Sequence, residues 1–416
     1  HERLLGSEMS IRDMGNLNVG VNGNLHLNSV LYNLDGRTVL FTNPGIGTSE
    51  VMDKIHDKNR LGTSVRVNVI SVGFKGLGGF NTISVNGRAE ANVQIPKSFF
   101  ELAKEGVTNK TYQIDNLRAR AIGYAELGLN HSRDIKAVPG LRVGASVKFL
   151  VGMAALNADF KQADLTLGQN EWTATTDGDI YANFGKFEFE HKMNKQNREY
   201  VSGANFDGDG SIGPNGFGMA FDLGAQYAWN GFNFSVGVLD LGWISYNDTK
   251  HASTDGVQTV NTDAYTFNAD GDAPNSFSNE WKRLRDNFGD LYQLKDMGDA
   301  GSRTVSPGAT LNVGVDYALP VYKKLKFGLL SSTRFQGEYT WTEARLSANV
   351  APSKIFSADA NFAVGTYGTA FGWLLNFHPK GFNLFLGMDH TVGKLAKQGV
   401  PLNSNASVNF GINFPF

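Results

Sequence analysis

The stretch Asn205–Gly216, NFDGDGSIGPNG, holds residues whose types and spacing suit a cation. Asn205, Asp207 and Asp209 alternate and Gly210 follows, which matches the oxygens at positions 1, 3 and 5 and the turn glycine at 6 of a calcium loop. Position 12, where such a loop supplies a bidentate Glu, is Gly216, and no helical pattern flanks the stretch. Two readings stand side by side. Asn205, Asp207, Asp209 and the Ser211 carbonyl hold Ca2+ weakly, at roughly 10⁻⁴–10⁻³ M, or the segment is a Gly- and Asp-rich turn. No other cofactor is expected.

Other chemistry is sparse. The chain has no GxSxG elbow, Walker loop or HExxH, and its eight histidines are scattered, none paired at i, i+4. The absence of cysteine removes a thiolate metal site, a Cys nucleophile and a disulfide scaffold. A net charge of −2 with 19% charged residues leaves no electrostatic footprint for nucleic acid. An enzyme is therefore not expected. The informative charges are Arg118, Arg120 and Glu126, which share the polar face of one alternating segment, and Arg142 and Lys148, which share that of the next. They read either as salt bridges lining a lumen, since buried charges require partners, or as a charged constriction that selects solutes.

The elements that carry these charges are written with period two. In FGMAFDLGAQYAW, Phe217, Met219, Phe221, Leu223, Ala225, Tyr227 and Trp229 fall on one face, opposite Gly218, Asp222 and Gln226. LRVGASVKFLVGM, AFGWLLNFH and GFNLFLGMDH repeat the pattern. A soluble β-sandwich also alternates, but its strands average ~5–6 residues, whereas tilted membrane strands need ~9–11. The runs here reach that length or exceed it, and 49 glycines with 29 phenylalanines suit long, frequently turning strands on a broad apolar surface. No apolar run is long enough for a membrane-spanning helix, and no leader is evident, so an exported chain is expected here in mature form.

Tight links such as YAWNGFNF, LPVYKKLKF and NFHPKGFNL contrast with the long segments 185–215, 247–303 and 391–403. Outer-membrane barrels keep short turns on the periplasmic side and long loops outside. About 15 candidate strands run from Gly62 to the end, Leu17–Leu25 offers another, and even numbers favour 14, with 16 the alternative. Short helices are expected at KSFFELAKEG, with Ser98 and Glu101 as a capping box and Gly106 as the stop, and at TSEVMDKIHD, with Thr48 or Ser49 as cap. A third, SFSNEWKRLRDNF, places Phe277, Trp281, Leu284 and Phe288 on one stripe inside the longest loop, as a loop core or a lid. The chain ends SVNFGINFPF, an alternating strand closing on Phe414 and Phe416, the terminal aromatic that outer-membrane proteins commonly carry as an assembly signal.

The stretches GNLNVGVNGNLHLNSVLY, RLGTSVRVNVISVGFKGLGGFNTISVNGRAEANVQIPKSFFELAK and GFGMAFDLGAQYAWNGFNFSVGVLDLGWI resemble an uncharacterised outer-membrane family of the Bacteroidota. That family is similar in turn to the fatty-acid-transporter, FadL-like, barrels. The resemblance implies an all-β fold, a transmembrane antiparallel β-barrel of 14 strands, with residues 62–416 as barrel and 1–61 as an N-terminal, plug-like segment. It implies no catalytic residues. The expected function is a channel or transporter for small or amphipathic solutes in the bacterial outer membrane, or alternatively a structural or assembly partner within a larger outer-membrane complex. The expected partners are outer-membrane lipid, the outer-membrane assembly machinery and other envelope proteins.

Overall fold

The computed structural model describes residues 11–415 except 107, 168–170, 186, 194–196, 198, 207–212, 255, 264–293 and 392–404. Fourteen strands form a closed antiparallel barrel. In chain order they are β1 (Ile11–Gly23), β2 (Lys58–Gly76), β3 (Gly79–Pro96), β4 (Leu117–Asp134), β5 (Leu141–Leu167), β6 (Gly216–Trp229) and β7 (Phe232–Tyr246). The second half comprises β8 (Ala309–Ala318), β9 (Leu325–Phe335), β10 (Trp341–Val350), β11 (Phe356–Gly365), β12 (Gly368–Phe377), β13 (Asn383–Met388) and β14 (Ala406–Pro415). Each pairs with the next, and β14 returns to β1 from Ile11↔Pro415 to Val21↔Ala406. Closure matters because hydrocarbon cannot satisfy the N–H and C=O groups of an open edge.

The outward face is apolar as the alternation requires. Phe217, Leu223, Leu346 and Phe371 are each more than half exposed, and they belong to a continuous set of outward Val, Leu and Phe side chains. In water this would be a large unsatisfied surface. Around a barrel it is the lipid-contacting band. No described helix is long and apolar enough to cross a membrane.

The hairpins set the ends. Leu77–Gly78 and Asn230–Gly231 both take left-handed backbone, at φ 55°/74° and 48°/84°, the type I′ geometry that matches strand twist. These turns, and the start of β1 with the end of β14, lie at one end. The opposite end carries the long connections, among them an extramembrane sheet in which the second half of β5 pairs with Glu171–Asn183, and that strand pairs with Lys250–Ser253 and Gln258–Asp263.

Several expectations are corrected. The first 61 residues are not a unit ahead of the barrel, because Ile11–Gly23 is the strand that closes it, bonded on one side to β14 and on the other to β2. The segment 24–57 lies at the long-loop end. There the hairpin Leu31–Leu34/Arg37–Leu40 and the helix Thr48–Met52 bury Tyr32, Val51 and Ile55 against Phe100 of the helix Lys97–Glu105. The cap of the first helix is Gly47, and Ser98 donates to the Gln113 carbonyl instead of capping its own helix. Gly106 does stop the second helix, at φ 67°. The segment Phe277–Phe288 lies outside the described residues.

Near the long-loop end β7 presses onto its neighbours through glycines. A Cβ on Gly218 would stand 1.9 Å from the Trp243 carbonyl oxygen, and one on Gly152 2.5 Å from the Tyr246 ring. Gly87, by contrast, has nothing within 4 Å. Gly152→Leu should therefore cost roughly 1–3 kcal/mol or more through overpacking, and Gly87→Leu close to nothing. The shift in gel mobility between boiled and unboiled samples measures this: Gly152→Leu should deplete the fast-migrating folded band, and Gly87→Leu should keep it.

Candidate functional site

Lumen chemistry centres on Asp240. Along β7, Phe232, Phe234, Val236 and Val238 point outward, so unbroken alternation would aim Asp240 into lipid. Two residues, Leu239 and Asp240, instead face one position of β6, between the pairs Leu223↔Val238 and Phe221↔Leu241. Asp240 takes φ 58° in this bulge, a conformation Asp tolerates better than most residues. The carboxylate is turned inward and the outward set resumes at Leu241 and Trp243.

A balanced set of charges gathers on it. Asp240 accepts from Arg88 at 2.7 Å and from Lys148 at 2.6 Å, with Arg66 and Arg334 each at 3.9 Å. Its own backbone N–H donates to Asp222 at 2.8 Å, and Lys148 also reaches Asp222 at 2.7 Å. Arg88 continues to Glu126 at 3.1 Å, and Arg334 meets Glu90 at 2.5 Å. Four cations (Arg66, Arg88, Lys148, Arg334) thus face four carboxylates (Glu90, Glu126, Asp222, Asp240) drawn from β2, β3, β4, β5, β6, β7 and β9. Apart from Arg66 these side chains are largely withdrawn from solvent, Asp240 at 4% exposure. Such a set is stable only while every charge keeps its partner.

Next to the charges lies an inward apolar layer. Ile122, Tyr124, Leu150, Ala220, Ile244 and Tyr246 are buried together, and the Tyr246 hydroxyl donates to the Gly123 carbonyl at 3.2 Å. The ladder between β7 and β8 is interrupted beside them. It runs from Phe232↔Tyr317 to Leu239↔Thr310, and β7 pairs again only at Ile244↔Val305, with the short strand Arg303–Val305. Carbonyls of the intervening segment are met by arginines: Ser306 by Arg120, and Pro307 by Arg334 at 3.0 Å.

A cavity of about 380 Å³ opens above this layer at the long-loop end. Tyr246, Val305 and Phe335 give it apolar wall, Asn183 and Gln336 hydrogen-bonding groups, and Arg120 and Arg303 positive charge. No carboxylate is among its described lining residues. Arg303 stacks over the Tyr181 ring at 3.5 Å, and Tyr181 stacks on His251, whose Nε2 lies 2.9 Å from Asp179. Burial pushes the nearby Tyr339 phenol up to about 12, so it stays neutral.

The structure separates the residues singled out in the sequence. Glu126 and Lys148 join the Asp240 cluster. Arg120 lines the cavity, while Arg118 pairs with Asp159 at 2.8 Å and Glu338 at 3.2 Å. Arg142 pairs with Asp134 at 2.7 Å near the short-turn end, away from the others. Asn205 lies in the strand Glu199–Phe206, paired with Glu188, whereas Asp207 and Asp209 lie outside the described residues. Phe414 belongs to β14, its ring 5.8 Å from Phe382, and Phe416 is outside the described residues. Among the described residues no group of three His, Asp or Glu could hold a metal ion. Sequence reading missed Asp240, Arg88, Glu90, Arg334 and Arg303. The acid inside VGVLDLGWI, at a break in the outward alternation, was a usable signal for the first.

An apolar outer band, a polar lumen and a closed strand ring define a transmembrane β-barrel protein. The chain belongs to a family of unknown function, DUF5723, whose model matches residues 8–389. No curated protein matches it. Among solved structures it is similar to a TodX deltaS2S3 mutant monoaromatic hydrocarbon channel, at 8% identity and a TM-score of 0.47, covering 99% of this chain and 91% of that one. It is also similar to the Ralstonia pickettii toluene transporter TbuX, at 8% identity and 0.43, covering 99% and 90%. A Pseudomonas aeruginosa FadL homologue matches at 9% identity and 0.39, covering 98% and 88%.

The charge cluster makes a quantitative demand. Asp240→Ala leaves four cations facing three carboxylates and should cost about 3–5 kcal/mol. Urea titration of the folded band should show the midpoint falling by that equivalent. Arg142→Ala, which breaks a half-exposed pair near the short-turn end, should cost no more than about 1 kcal/mol.

Proposed function

We propose that this protein resides in the outer membrane of a Gram-negative bacterium and passes small amphipathic solutes through its lumen. The observation that carries this reading is the cavity at the long-loop end, where Arg120 and Arg303 stand beside Tyr246, Val305 and Phe335 and no carboxylate is among the described lining residues. A polar or anionic end would meet the arginines and an apolar body the aromatic wall. The Asp240 cluster and the apolar layer close the route beneath, so passage is gated. The weakly paired stretch of β7, Asp240–Trp243, is the element placed to move.

A second reading has an observation of its own. A lumen filled by a charge-balanced, buried network suits a barrel that serves as a structural or assembly partner of other envelope proteins, with little current of its own.

Liposome swelling with small amphipathic acids and planar-bilayer recording separate the two. Transport predicts solute-dependent swelling that drops about tenfold or more in Arg120→Ala/Arg303→Ala, from the loss of charge-assisted hydrogen bonds worth ~1.5–3 kcal/mol. It also predicts larger conductance in Asp240→Asn. Silence in all forms, with stoichiometric co-purification of another envelope protein, would replace transport by the partner role.

A further inference from the structure

The outward wall departs from its apolar rule on β4. Two ionisable residues of that strand, His131 and Arg133, fall on the outward face near the short-turn end. Arg133 is exposed and makes no hydrogen bond or ion pair with any described residue. His131 places Nδ1 2.9 Å from the Asn81 side-chain oxygen, which leaves Nε2 directed away from that bond. A cation on a lipid-contacting wall costs least at the membrane interface, where it reaches headgroups.

Beside them the wall is dented. Two register rows cross four strands: Arg133–Val143–Ala225–Val236, and His131–Ala145–Leu223–Val238. They line a groove of about 600 Å³, within the ~300–1,000 Å³ of small-molecule sites. Small side chains at Ala145 and Ala225 make its floor, and on the lumen side the adjoining row Gly144–Gly224–Gly237 bears no side chain. Leu223 and Val236 stand 61% and 48% exposed along it, apolar surface with no protein cover. Tyr227 and Phe234, paired across β6 and β7, border the groove toward the short turns. Lys136, exposed in the turn between β4 and β5, adds a further cation at that end.

We propose that this groove is a binding site for an anionic glycerophospholipid of the leaflet at the short-turn end. One acyl chain lies along Val143, Ala145, Ala225 and Val236. The phosphate is held by the guanidinium of Arg133, whose fork of donors matches its oxygens, with His131 alongside. Charge complementarity selects the anionic lipid, since a zwitterionic headgroup carries its own cation to the same place. The site is independent of the lumen and of solute passage.

Native mass spectrometry of the folded barrel, released from micelles holding equal phosphatidylglycerol and phosphatidylcholine, tests it. The wild type should retain phosphatidylglycerol about fivefold over phosphatidylcholine, the factor expected of one cation near an anionic lipid surface. Arg133→Gln should abolish the preference and Arg133→Lys should keep most of it. Ala145→Phe/Ala225→Phe, which fills the floor, should reduce retention of both lipids. The gel shift on boiling confirms that each variant is folded. Equal retention of the two lipids by the wild type would overturn the proposal. So would a preference that survives Arg133→Gln, or a lipid-free dimer that Ala145→Phe/Ala225→Phe dissociates.

Discussion

Everything in this molecule rests on the ladder between β1 and β14. A sheet in hydrocarbon has no water to satisfy an open edge, and each unpaired backbone group there costs several kcal/mol. The bonds from Ile11↔Pro415 to Val21↔Ala406 remove the edge by joining strands almost 400 residues apart. With the ring closed, outward positions belong to lipid and inward positions to the lumen. That division lets a chain with 41% hydrophobic residues display so many Phe, Leu and Val side chains outward.

Closure also creates the problem that the Asp240 cluster solves. Seven strands contribute charged side chains to one restricted space, where an unpaired ion would be strongly disfavoured. The bulge at Leu239–Asp240 delivers a carboxylate to the middle of four cations and, by the same displacement, swings Ile244 and Tyr246 onto Ile122, Tyr124 and Leu150. One extra residue in one strand therefore links the electrostatic core, the apolar layer and the gap in the β7–β8 ladder. Gly152 and Gly218 permit the close approach. The cation-lined cavity and the charge-balanced cluster thus lie on either side of the apolar layer.

The two functional surfaces obey different physics. Inside, Arg120 and Arg303 sit in a recess where partial desolvation strengthens a contact with an anionic or polar solute end. Outside, Arg133 and His131 lie where the membrane itself supplies the counter-charge. In the functions proposed, the inward arginines bear on what passes through the barrel, and the outward pair on which lipid surrounds it.

Sequence by itself determined the class of fold. Period two over 9 to 13 residues, short Asn-Gly turns against long segments, and an aromatic terminal strand are local properties, and they survive into β6, β12 and β14 without revision. It also placed Glu126 and Lys148 on inward faces, because alternation alone assigns a face. Helix caps were less legible, since Ser98 found a longer-range acceptor in Gln113 that no local pattern announces. Tertiary structure alone decided that Ile11–Gly23 is a barrel strand, because its role is defined by partners at residues 61–72 and 406–415. It alone distinguished charges of the same face, sending Lys148 to Asp240, Arg120 to the cavity and Arg142 to Asp134. Face is set by the parity of a residue within its strand, whereas a partner across the lumen depends on strand order, register and, for Lys148, a bulge two strands away.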